Sequence, residues 1–498
     1  MQKKQTILVV ASLLVVVLSV TLAYFTAQII GKGKDVSVSS ADLKIVFTDT
    51  DGNIEGNDIT PGWSNSKTFT VKNESNGTYK YDIIIKDLVN TFKTYKYLEY
   101  KITSTDGGYN MTDYSYLPKS STKEDVALVY EVSIDKGKTH TYTIEIKYIN
   151  DEYVDQSIDM GQNLSGTIYI REFTKPTMKL TDKLMADNPT IGTRTTFTAF
   201  TETNKGTLYK ATEQIGTNPV KDVYYFAGDA KNNWVKFANL YWRIIRTNAD
   251  GSIKLLYAGT SPDTEKAYIG MSEFNTPAND PMYVGYKYGT SGSLENNRLN
   301  TKDSTIKTYV DNWYKNNLIA YTKYLSKDAV YCNDRNLASG QTYSTTSNFD
   351  YASWERIGTN KQPTYNCTNM SDAFSVNNTS AKLDYPVGLM TIDELSYAGG
   401  QAYTKLTAPY AWYYTNANGE SSYGSVAFWA LSPDIWDGSL SVVWYVGGSG
   451  DPGGLNDILV DYTGAVRPSV SLSSCNLISR GDGSANNPYV VYIGSGSC

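Results

Sequence analysis

Histidine is almost absent from this chain of 498 residues, because His140 is the only one. That absence removes most catalytic triads and nearly every histidine-based metal centre, and no H-E-x-x-H string occurs. His140 itself begins the alternating stretch His140–Tyr148, which is typical of a strand. We therefore expect it to be a strand residue without a catalytic role.

An excess of positive charge is also lacking. The chain carries 45 Lys and Arg against 51 Asp and Glu, which gives a formal net charge of -6. Proteins that bind nucleic acids neutralise phosphates with clustered Lys and Arg. The sequence has no such cluster. We therefore expect no nucleic-acid partner.

Cysteine is scarce and confined to the C-terminal part of the chain, and no C-x-x-C pair indicates a zinc site. A few cysteines in an exported domain are typical of disulfides. Of the three pairings that four cysteines allow, the simplest joins Cys332 to Cys367 and Cys475 to Cys498. Four reduced thiols are the alternative.

Charge is missing from one long stretch near the start, Ile7–Ile30, which follows Lys3 and Lys4. At helical rise this stretch is long enough to cross a bilayer. We predict that residues 1–31 are a signal peptide or a membrane anchor, and the sequence leaves this choice open, with Ala23 as a small residue at a cleavage point. Either alternative exports the rest of the chain. An anchor would also make the membrane a partner through this helix.

Residues 32–172 have the pattern of an all-β module. Lys67–Val71 and His140–Tyr148 alternate between polar and apolar side chains, which predicts half-buried antiparallel strands. Pro61-Gly62 and Asn76-Gly77 supply turns between strands. The expected fold of this range is a β-sandwich.

Three short phrases in this part of the chain resemble the camelysin-like biofilm-matrix proteins. They are Ala23-Tyr24-Phe25-Thr26, Thr60-Pro61-Gly62 and Phe69–Asn73. The resemblance implies a module that can self-assemble into extracellular fibres. Some members of that family have been called metalloproteases, an activity that the missing H-E-x-x-H string does not favour.

Residues 173–222 are rich in Thr and Lys and poor in large apolar side chains, so we predict a linker or a lead-in to the next domain. A new domain is expected over residues 223–498. Its predicted elements are a hairpin turn at Asn248–Gly251, a helix over Ser304–Ser326 and a second helix that begins with the capping-box pair Thr391 and Glu394.

The stretch from Phe428 to Leu472 stands out within that domain. The phrases Phe428–Pro433 and Gly464–Leu472 enclose an interior of Gly, Asp, Ser, Asn, Trp and Tyr, which a packed core would rarely choose. Binding loops use this vocabulary, because aromatic rings supply contact area while the small polar residues supply adaptable hydrogen bonds. The composition therefore predicts a surface for recognition.

The opening W-x-x-S-P and the closing G-x-V-R-P-x-x-S-L of this stretch resemble the framework of C-type-lectin-like domains in bacterial surface proteins. Further phrases that share the resemblance are Tyr331–Arg335, Tyr385–Leu389 with Asp393-Glu394, and Gly481-Asp482-Gly483 with Asn487–Val491. The resemblance implies an α+β fold for the C-terminal domain, so the whole chain is expected to be mainly β. It also implies the surface of a Gram-positive bacterium, with the protein membrane-anchored or secreted.

Some proteins of this group are variable proteins of diversity-generating retroelements, in which adenine-directed mutagenesis rewrites this segment. Most of the polar interior fits the residues that changes at adenines of an Asn codon produce, whereas Trp436 and Trp444 do not fit. The resemblance implies a ligand-binding set made of Asp434, Trp436, Asp437, Trp444, Tyr445, Asp451, Asn456, Asp457, Asp461 and Tyr462.

Two details of this set remain open at the level of sequence. Neighbouring side chains of a strand point to opposite faces, so one of Trp444 and Tyr445 faces outward, and the spacing does not decide which one. The acidic residues from Asp451 to Asp461 could bind calcium or the hydroxyls of a sugar, with solvated loop carboxylates as the alternative. We expect no other cofactor and no other metal.

These patterns predict an exported bacterial surface protein, not an enzyme, that binds an external protein or glycan ligand through its C-type-lectin-like domain. One alternative is a structural protein of a biofilm matrix that forms fibres through its N-terminal module. The other is an enzyme similar to the formylglycine-generating enzymes, which share the C-type-lectin-like fold but depend on reactive cysteines.

Overall fold

The computed structural model describes residues 35–39, 44–49, 54–55, 59–117, 119–197, 200, 207–494 and 498. The leader predicted over residues 1–31 lies outside them. Among the described residues, no helix has the length and apolar character that a membrane crossing needs. The chain divides into two compact units between Lys175 and Pro176.

The first unit has two antiparallel sheets, one of six strands in the order β1-β2-β4-β9-β6-β7 and one of four in the order β3-β10-β5-β8. The strands are β1 (Asp35–Ser39), β2 (Lys44–Asp49), β3 (Ile54–Glu55), β4 (Ser64–Asn73), β5 (Tyr79–Asn90), β6 (Leu98–Ser104), β7 (Ser115–Tyr116), β8 (Ser120–Ile134), β9 (Thr139–Tyr148) and β10 (Leu164–Glu172).

One hydrophobic core joins the inner faces of these two sheets. Ile83 and Ile85 of β5 and Ile144 of β9 belong to it, and every second residue of β9 is buried. This alternation is the period of two that a half-buried strand requires. Residues 64–172 therefore form two packed β layers, which is the arrangement of a sandwich.

His140 lies in β9 and is buried, with its Nδ1 atom 2.8 Å from the Tyr81 hydroxyl. That hydroxyl is 2.7 Å from the hydroxyl of Tyr142. Burial lowers the pKa of His140, because a charged ring loses hydration there. The imidazole thus has a hydrogen-bond partner inside the sandwich and serves the packing of this unit.

The second unit has two larger sheets and two short ribbons, β18-β19 and β20-β22. The ten-stranded sheet runs β11-β12-β13-β15-β14-β30-β29, with β16 between β15 and β28 and with β23 beside β28; the six-stranded sheet runs β17-β27-β24-β25-β26, with β21 beside β24. The described part of the chain is therefore mainly β, as the sequence predicts for the chain as a whole.

The strands of this unit are β11 (Thr190–Thr193), β12 (Thr207–Glu213), β13 (Lys221–Tyr225), β14 (Trp234–Phe237), β15 (Leu240–Thr247), β16 (Ile253–Tyr257), β17 (Met271–Glu273), β18 (Lys287–Tyr288), β19 (Lys302–Asp303), β20 (Tyr331–Cys332), β21 (Phe349–Asp350), β22 (Ala373–Phe374), β23 (Val387–Gly388), β24 (Phe428–Trp436), β25 (Ser441–Val446), β26 (Leu455–Leu459), β27 (Thr463–Ala465), β28 (Ser469–Leu472), β29 (Ile478–Arg480) and β30 (Tyr489–Val491). Its helices are α1 (Leu180–Asp187), α2 (Leu294–Asn297), α3 (Thr305–Asn317) and α4 (Ile392–Tyr397).

The segment 173–222 is not a loose linker. It contains α1, whose Leu180 and Leu184 are buried in the core of the second unit, and the strands β11 and β12. The strand β12 pairs with β13 over Tyr209 to Glu213. The buried leucines of α1 and the pairing of β12 therefore anchor the described parts of a segment whose Thr and Lys content is typical of a linker.

The helix predicted over Ser304–Ser326 is shorter in the structure. It begins at Thr305, ends at Asn317 and is followed by a 3-10 segment, Ile319–Tyr324. Ile306, Val310 and Tyr314 form the buried face of α3, and Trp313 is only half-buried. The predicted capping box is confirmed at α4, where Thr391 and Glu394 satisfy each other's backbone N–H groups.

The two framing phrases of the segment 428–472 come together in space. Phe428 of β24 lies opposite Ala465 of β27, and β28 continues into the ten-stranded sheet beside β16. Arg467 is buried and donates to the carbonyl oxygens of Tyr413 at 2.7 Å and Tyr257 at 3.1 Å. The exit phrase is therefore a structural frame.

Both expected disulfides are present. Cys332 pairs with Cys367, and Cys475 pairs with Cys498. Cys332 belongs to the strand β20, and the second bond joins Cys498 to Cys475, which follows β28. Cross-links of this kind are typical of oxidising compartments.

Candidate functional site

The strand β24 lies in the middle of the second unit and is held on both edges. Leu431 donates its N–H to Met390 at 2.8 Å, and Tyr351 donates its N–H to the carbonyl oxygen of Asp434 at 2.9 Å. Pairing with β25 is irregular on both sides of Pro433, which has no N–H to donate. Such irregularities re-aim individual side chains. Asp434 follows directly after this point.

Asp434 is 1% exposed, and neither of its carboxylate oxygens has a hydrogen-bond partner among the described residues. Burial, followed by the carboxylates of Asp457 and Asp350, raises the pKa of Asp434 well above its usual value. Leaving a buried polar group without a partner costs about 1–3 kcal/mol, and more for a charged one. The buried side chain of Asp434 therefore lowers the free energy of unfolding.

Two neighbouring strands supply the other carboxylates. Asp457 of β26 lies opposite Trp444 of β25 and is half-buried. Asp350 of β21 follows Phe349, which lies opposite Trp436 at the other edge of β24. Burial raises the pKa of Asp350. Three strands that are separate in sequence thus bring three carboxyl groups into one region.

Tyr403 completes this region, and no sequence pattern pointed to it. Its φ angle is 56°, in the left-handed region, and its side chain is 52% exposed. A bulky residue rarely adopts this conformation, which costs about 1–3 kcal/mol and is concentrated at functional sites. Its ring lies 5.7 Å from the ring of Trp444, measured between centroids. Its hydroxyl interacts with the Asp457 carboxylate and with Trp354.

We call Asp350, Tyr403, Asp434, Trp444 and Asp457 the acidic aromatic site. Burial and the carboxylates of Asp434 and Asp457 raise the pKa of Tyr403. Within the described part of the chain, no Lys or Arg is among the groups that shift the pKa of Tyr403 or Asp434. The charged or chargeable groups that act on these two side chains are therefore all acidic.

The two predicted tryptophan contacts are wrong as surface contacts. Trp436 is 1% exposed and Trp444 is 0% exposed, and both belong to the hydrophobic core of the unit. Burial of a large aromatic ring stabilises a fold, and both rings lie in the core of this unit. The indole N–H groups of both have no partner among the described residues. Trp444 contributes to the site only through the contact of its buried ring with the ring of Tyr403.

Tyr445 is the outward member of the pair that the sequence left open. It is half-buried, lies opposite Asn456 in β26, and has its pKa raised by burial and by Asp451 and Asp457. Asn456 donates its amide to the Asp451 carboxylate. These three predicted residues therefore form one polar edge next to the acidic aromatic site.

The remaining predicted residues lie in turns. Asp437 accepts hydrogen bonds from the N–H groups of Ser439 at 2.8 Å and Leu440 at 2.6 Å. Although burial raises its pKa, these hydrogen bonds lower it overall. Asp437 thus shapes the β24–β25 turn. Asp461 and Tyr462 are exposed between β26 and β27, with Tyr462 60% exposed.

A second acidic group, away from the predicted segment, already has its cation. The carboxylate oxygens of Asp303, Asp311 and Asp384 lie within 4.8 Å of one another. The Lys307 ammonium is buried between them, at 3.2, 2.6 and 3.0 Å respectively. The Lys307 ammonium therefore occupies the position between these three carboxylates that a metal ion would need.

A cavity of about 20 Å³ lies beside the Cys332–Cys367 disulfide. That volume holds about one water molecule. Its cations are paired with carboxylates, since Arg246 lies 3.0 Å from Glu394 and Arg356 lies 2.9 Å from Asp393. We therefore interpret this cavity as part of a buried ionic network that holds α4 in place.

No protein-family model matches this chain. No curated protein matches it either. A solved structure described as "AvmM Catalyzes Macrocyclization in Alchivemycin A Biosynthesis" is similar at 11% sequence identity; the match covers 28% of this chain and 93% of that chain, with a TM-score of 0.14. A TM-score that low carries no argument about fold or function, so the functional assignment rests on the geometry of the site.

Proposed function

We propose that this chain is an exported surface protein whose second unit, residues 176–498, binds an external ligand through the acidic aromatic site. The observation that carries the proposal is the buried carboxyl group of Asp434, which has no hydrogen-bond partner among the described residues. Folding alone would favour an apolar residue at that position. A ligand, or a water molecule bound with it, would give this carboxyl group a hydrogen-bond partner.

The backbone of Tyr403 supports the same assignment. A strained and half-exposed aromatic residue beside a buried carboxyl group is the kind of arrangement that persists for binding and not for stability. The two disulfides are consistent with an exported protein. The resemblance to C-type-lectin-like domains supports recognition as the role of the second unit.

The placement of the tryptophans also supports a diversified segment. Trp436 and Trp444, which do not fit adenine-directed change, are both in the core. Tyr445, Asn456 and Asp457, which do fit it, are only half-buried. In this proposal Trp436 and Trp444 are framework residues, and variation at Tyr445, Asn456 and Asp457 would change the surface that a ligand contacts.

The proposal is tested by exposing the full-length protein to glycan and peptide arrays. Tyr403→Ala and Asp457→Asn are compared with the wild type, and Tyr153→Ala is the matched control because Tyr153 is 94% exposed in the first unit. We expect capture of a ligand by the wild type and by the control, and its loss in the two site variants. Capture that survives in both site variants would contradict the proposal. Fibres in electron micrographs together with no captured ligand would favour the structural alternative.

A further inference from the structure

We infer that the acidic aromatic site takes an organic cation, namely an ammonium group carried by the ligand. The inference rests on the proposed function of the same site and adds the chemical class of the ligand. It is carried by the unpartnered carboxyl group of Asp434, by the two further carboxyl groups near it, and by the aromatic ring of Tyr403.

The first argument is charge. The electrostatic neighbours that act on Asp434 are Asp457 and Asp350, and both are acidic. Lys405, two residues after Tyr403, is exposed and donates to the carbonyl oxygen of Gly450 at 3.0 Å. A ligand that brings its own positive charge would therefore favour the ionised forms of these carboxyl groups.

The second argument comes from the rest of the same unit. There the fold stabilises three carboxylates, those of Asp303, Asp311 and Asp384, by placing the ammonium group of Lys307 among them. The acidic aromatic site also gathers three carboxyl groups, yet Asp434 has no ion pair or hydrogen bond within the described residues. An ammonium group on the ligand would supply this site with the positive charge that Lys307 supplies to the three carboxylates around it.

The third argument separates an organic cation from a metal ion. A bare cation needs several oxygen atoms close together. Within the described residues, only Asp303, Asp311 and Asp384 place three carboxylate oxygens within 4.8 Å of one another, so the carboxyl groups of the acidic aromatic site are spaced more widely. Wider spacing suits an alkylammonium group.

The fourth argument is the aromatic lining. An ammonium group near an aromatic face is attracted by the ring quadrupole. Tyr403 presents an exposed ring, supported by Trp444 at 5.7 Å, beside the half-buried Asp457. An incoming cation can thus contact Tyr403 and Asp457 first, and its charge would favour the ionised form of Asp434 beneath them.

The test is a calorimetric titration of the full-length protein at low salt with three matched pairs of probes. The pairs are choline and its uncharged carbon isostere, capped lysine and capped norleucine, and glucosamine and N-acetylglucosamine. Within each pair only one member carries an ammonium group, so the three pairs distinguish a quaternary ammonium, a lysine side chain and an amino sugar as the source of the charge.

We expect at least one charged probe to bind about tenfold or more tightly than its uncharged partner. Asp457→Asn should weaken that binding by a similar factor, whereas Glu265→Gln, which removes an exposed acid elsewhere in the unit, should leave it unchanged. Equal binding within every pair, or no binding of any charged probe, would overturn the inference. Array capture of an uncharged ligand that depends on Tyr403 would overturn it while leaving the proposed function intact.

Discussion

The ring of Tyr403 packs on the ring of Trp444, with centroids 5.7 Å apart and planes inclined by 39°. One residue is 52% exposed and the other is fully buried, so the pair connects the surface of the second unit to its core. Tyr403 holds this position with a left-handed backbone. The contact therefore combines a strained, accessible ring with a buried support. We assign Tyr403 to binding and Trp444 to the stability of the fold.

The first prediction concerns that strain. Tyr403→Gly should abolish ligand capture, because the exposed ring is lost, yet leave the free energy of unfolding unchanged or higher by about 1 kcal/mol, because glycine adopts a positive φ without strain. Urea unfolding followed by tryptophan fluorescence measures the stability of the second unit, which contains all tryptophans except Trp63. A loss of several kcal/mol would show that Tyr403 is a packing residue.

The second prediction separates the two neighbours Trp444 and Tyr445. Trp444→Ala should lower the free energy of unfolding by about 3–5 kcal/mol, because it removes a fully buried ring. Tyr445→Ala removes a half-buried ring and should cost less. Denaturant unfolding of both variants checks the order. Equal losses would contradict the assignment of Trp444 as the inward residue.

The third prediction concerns pH. The pKa of Asp434 is raised in the folded state, so the folded protein retains a proton that the unfolded chain releases near pH 4. Stability that depends on this proton is present below about pH 4 and is lost as pH rises through the folded pKa. Asp434→Asn removes this loss, so its stability relative to the wild type should grow with pH by up to about 1.4 kcal/mol per pH unit.

The measurement is urea unfolding of both proteins at several values between about pH 5 and pH 8. Because every other titrating group is shared, the difference between the two curves isolates Asp434. Parallel stability profiles would mean that Asp434 is ionised in the folded protein over this whole range, which would contradict its buried and unpartnered state.

The fourth prediction concerns the ionic network at α4. Glu394 lies 2.7 Å from Lys254 and 3.0 Å from Arg246, and the side chains of all three are nearly inaccessible. Glu394→Gln keeps the shape of the side chain but leaves the Lys254 ammonium buried without a carboxylate, which should cost about 3–5 kcal/mol. Glu265→Gln is the matched control at an exposed acid and should change stability by less than about 0.5 kcal/mol. Comparable effects of the two substitutions would contradict the structural role of the network.

Local patterns in the sequence predicted much of the fold. The alternation of His140–Tyr148 produces β9, the turn at Asn248–Gly251 joins β15 to β16, and Thr391 caps α4. Each of these signals depends on residues within one element or one turn. The pairing of the cysteines was also the simplest one available.

Features that depend on distant contacts were not predictable. Nothing near Ser326 in the sequence shows that α3 ends at Asn317, where the buried Leu318 leaves the helical conformation. The lead-in 173–222 has a polar composition but completes a sheet edge. Composition describes which side chains are present, whereas burial depends on what lies opposite them.

The candidate site shows the same division. The segment 428–472 does contain Asp434 and Asp457, but Trp436 and Trp444 pack inward and Tyr445 turns outward. Tyr403 was missed because its distinctive property is a positive φ angle, which its neighbours in the sequence do not reveal. Asp350 was missed because only the pairing of β21 with β24 brings it near Asp434.

The most direct test of the acidic aromatic site is hydrogen exchange of the full-length protein with and without a captured ligand. If the site binds that ligand, exchange should slow in the peptides that contain Tyr403 and in those that cover β24 to β26, and it should be unchanged in the first unit. Protection confined to the β-sandwich strands, with the segments around Tyr403 and Asp457 unaffected, would contradict the account.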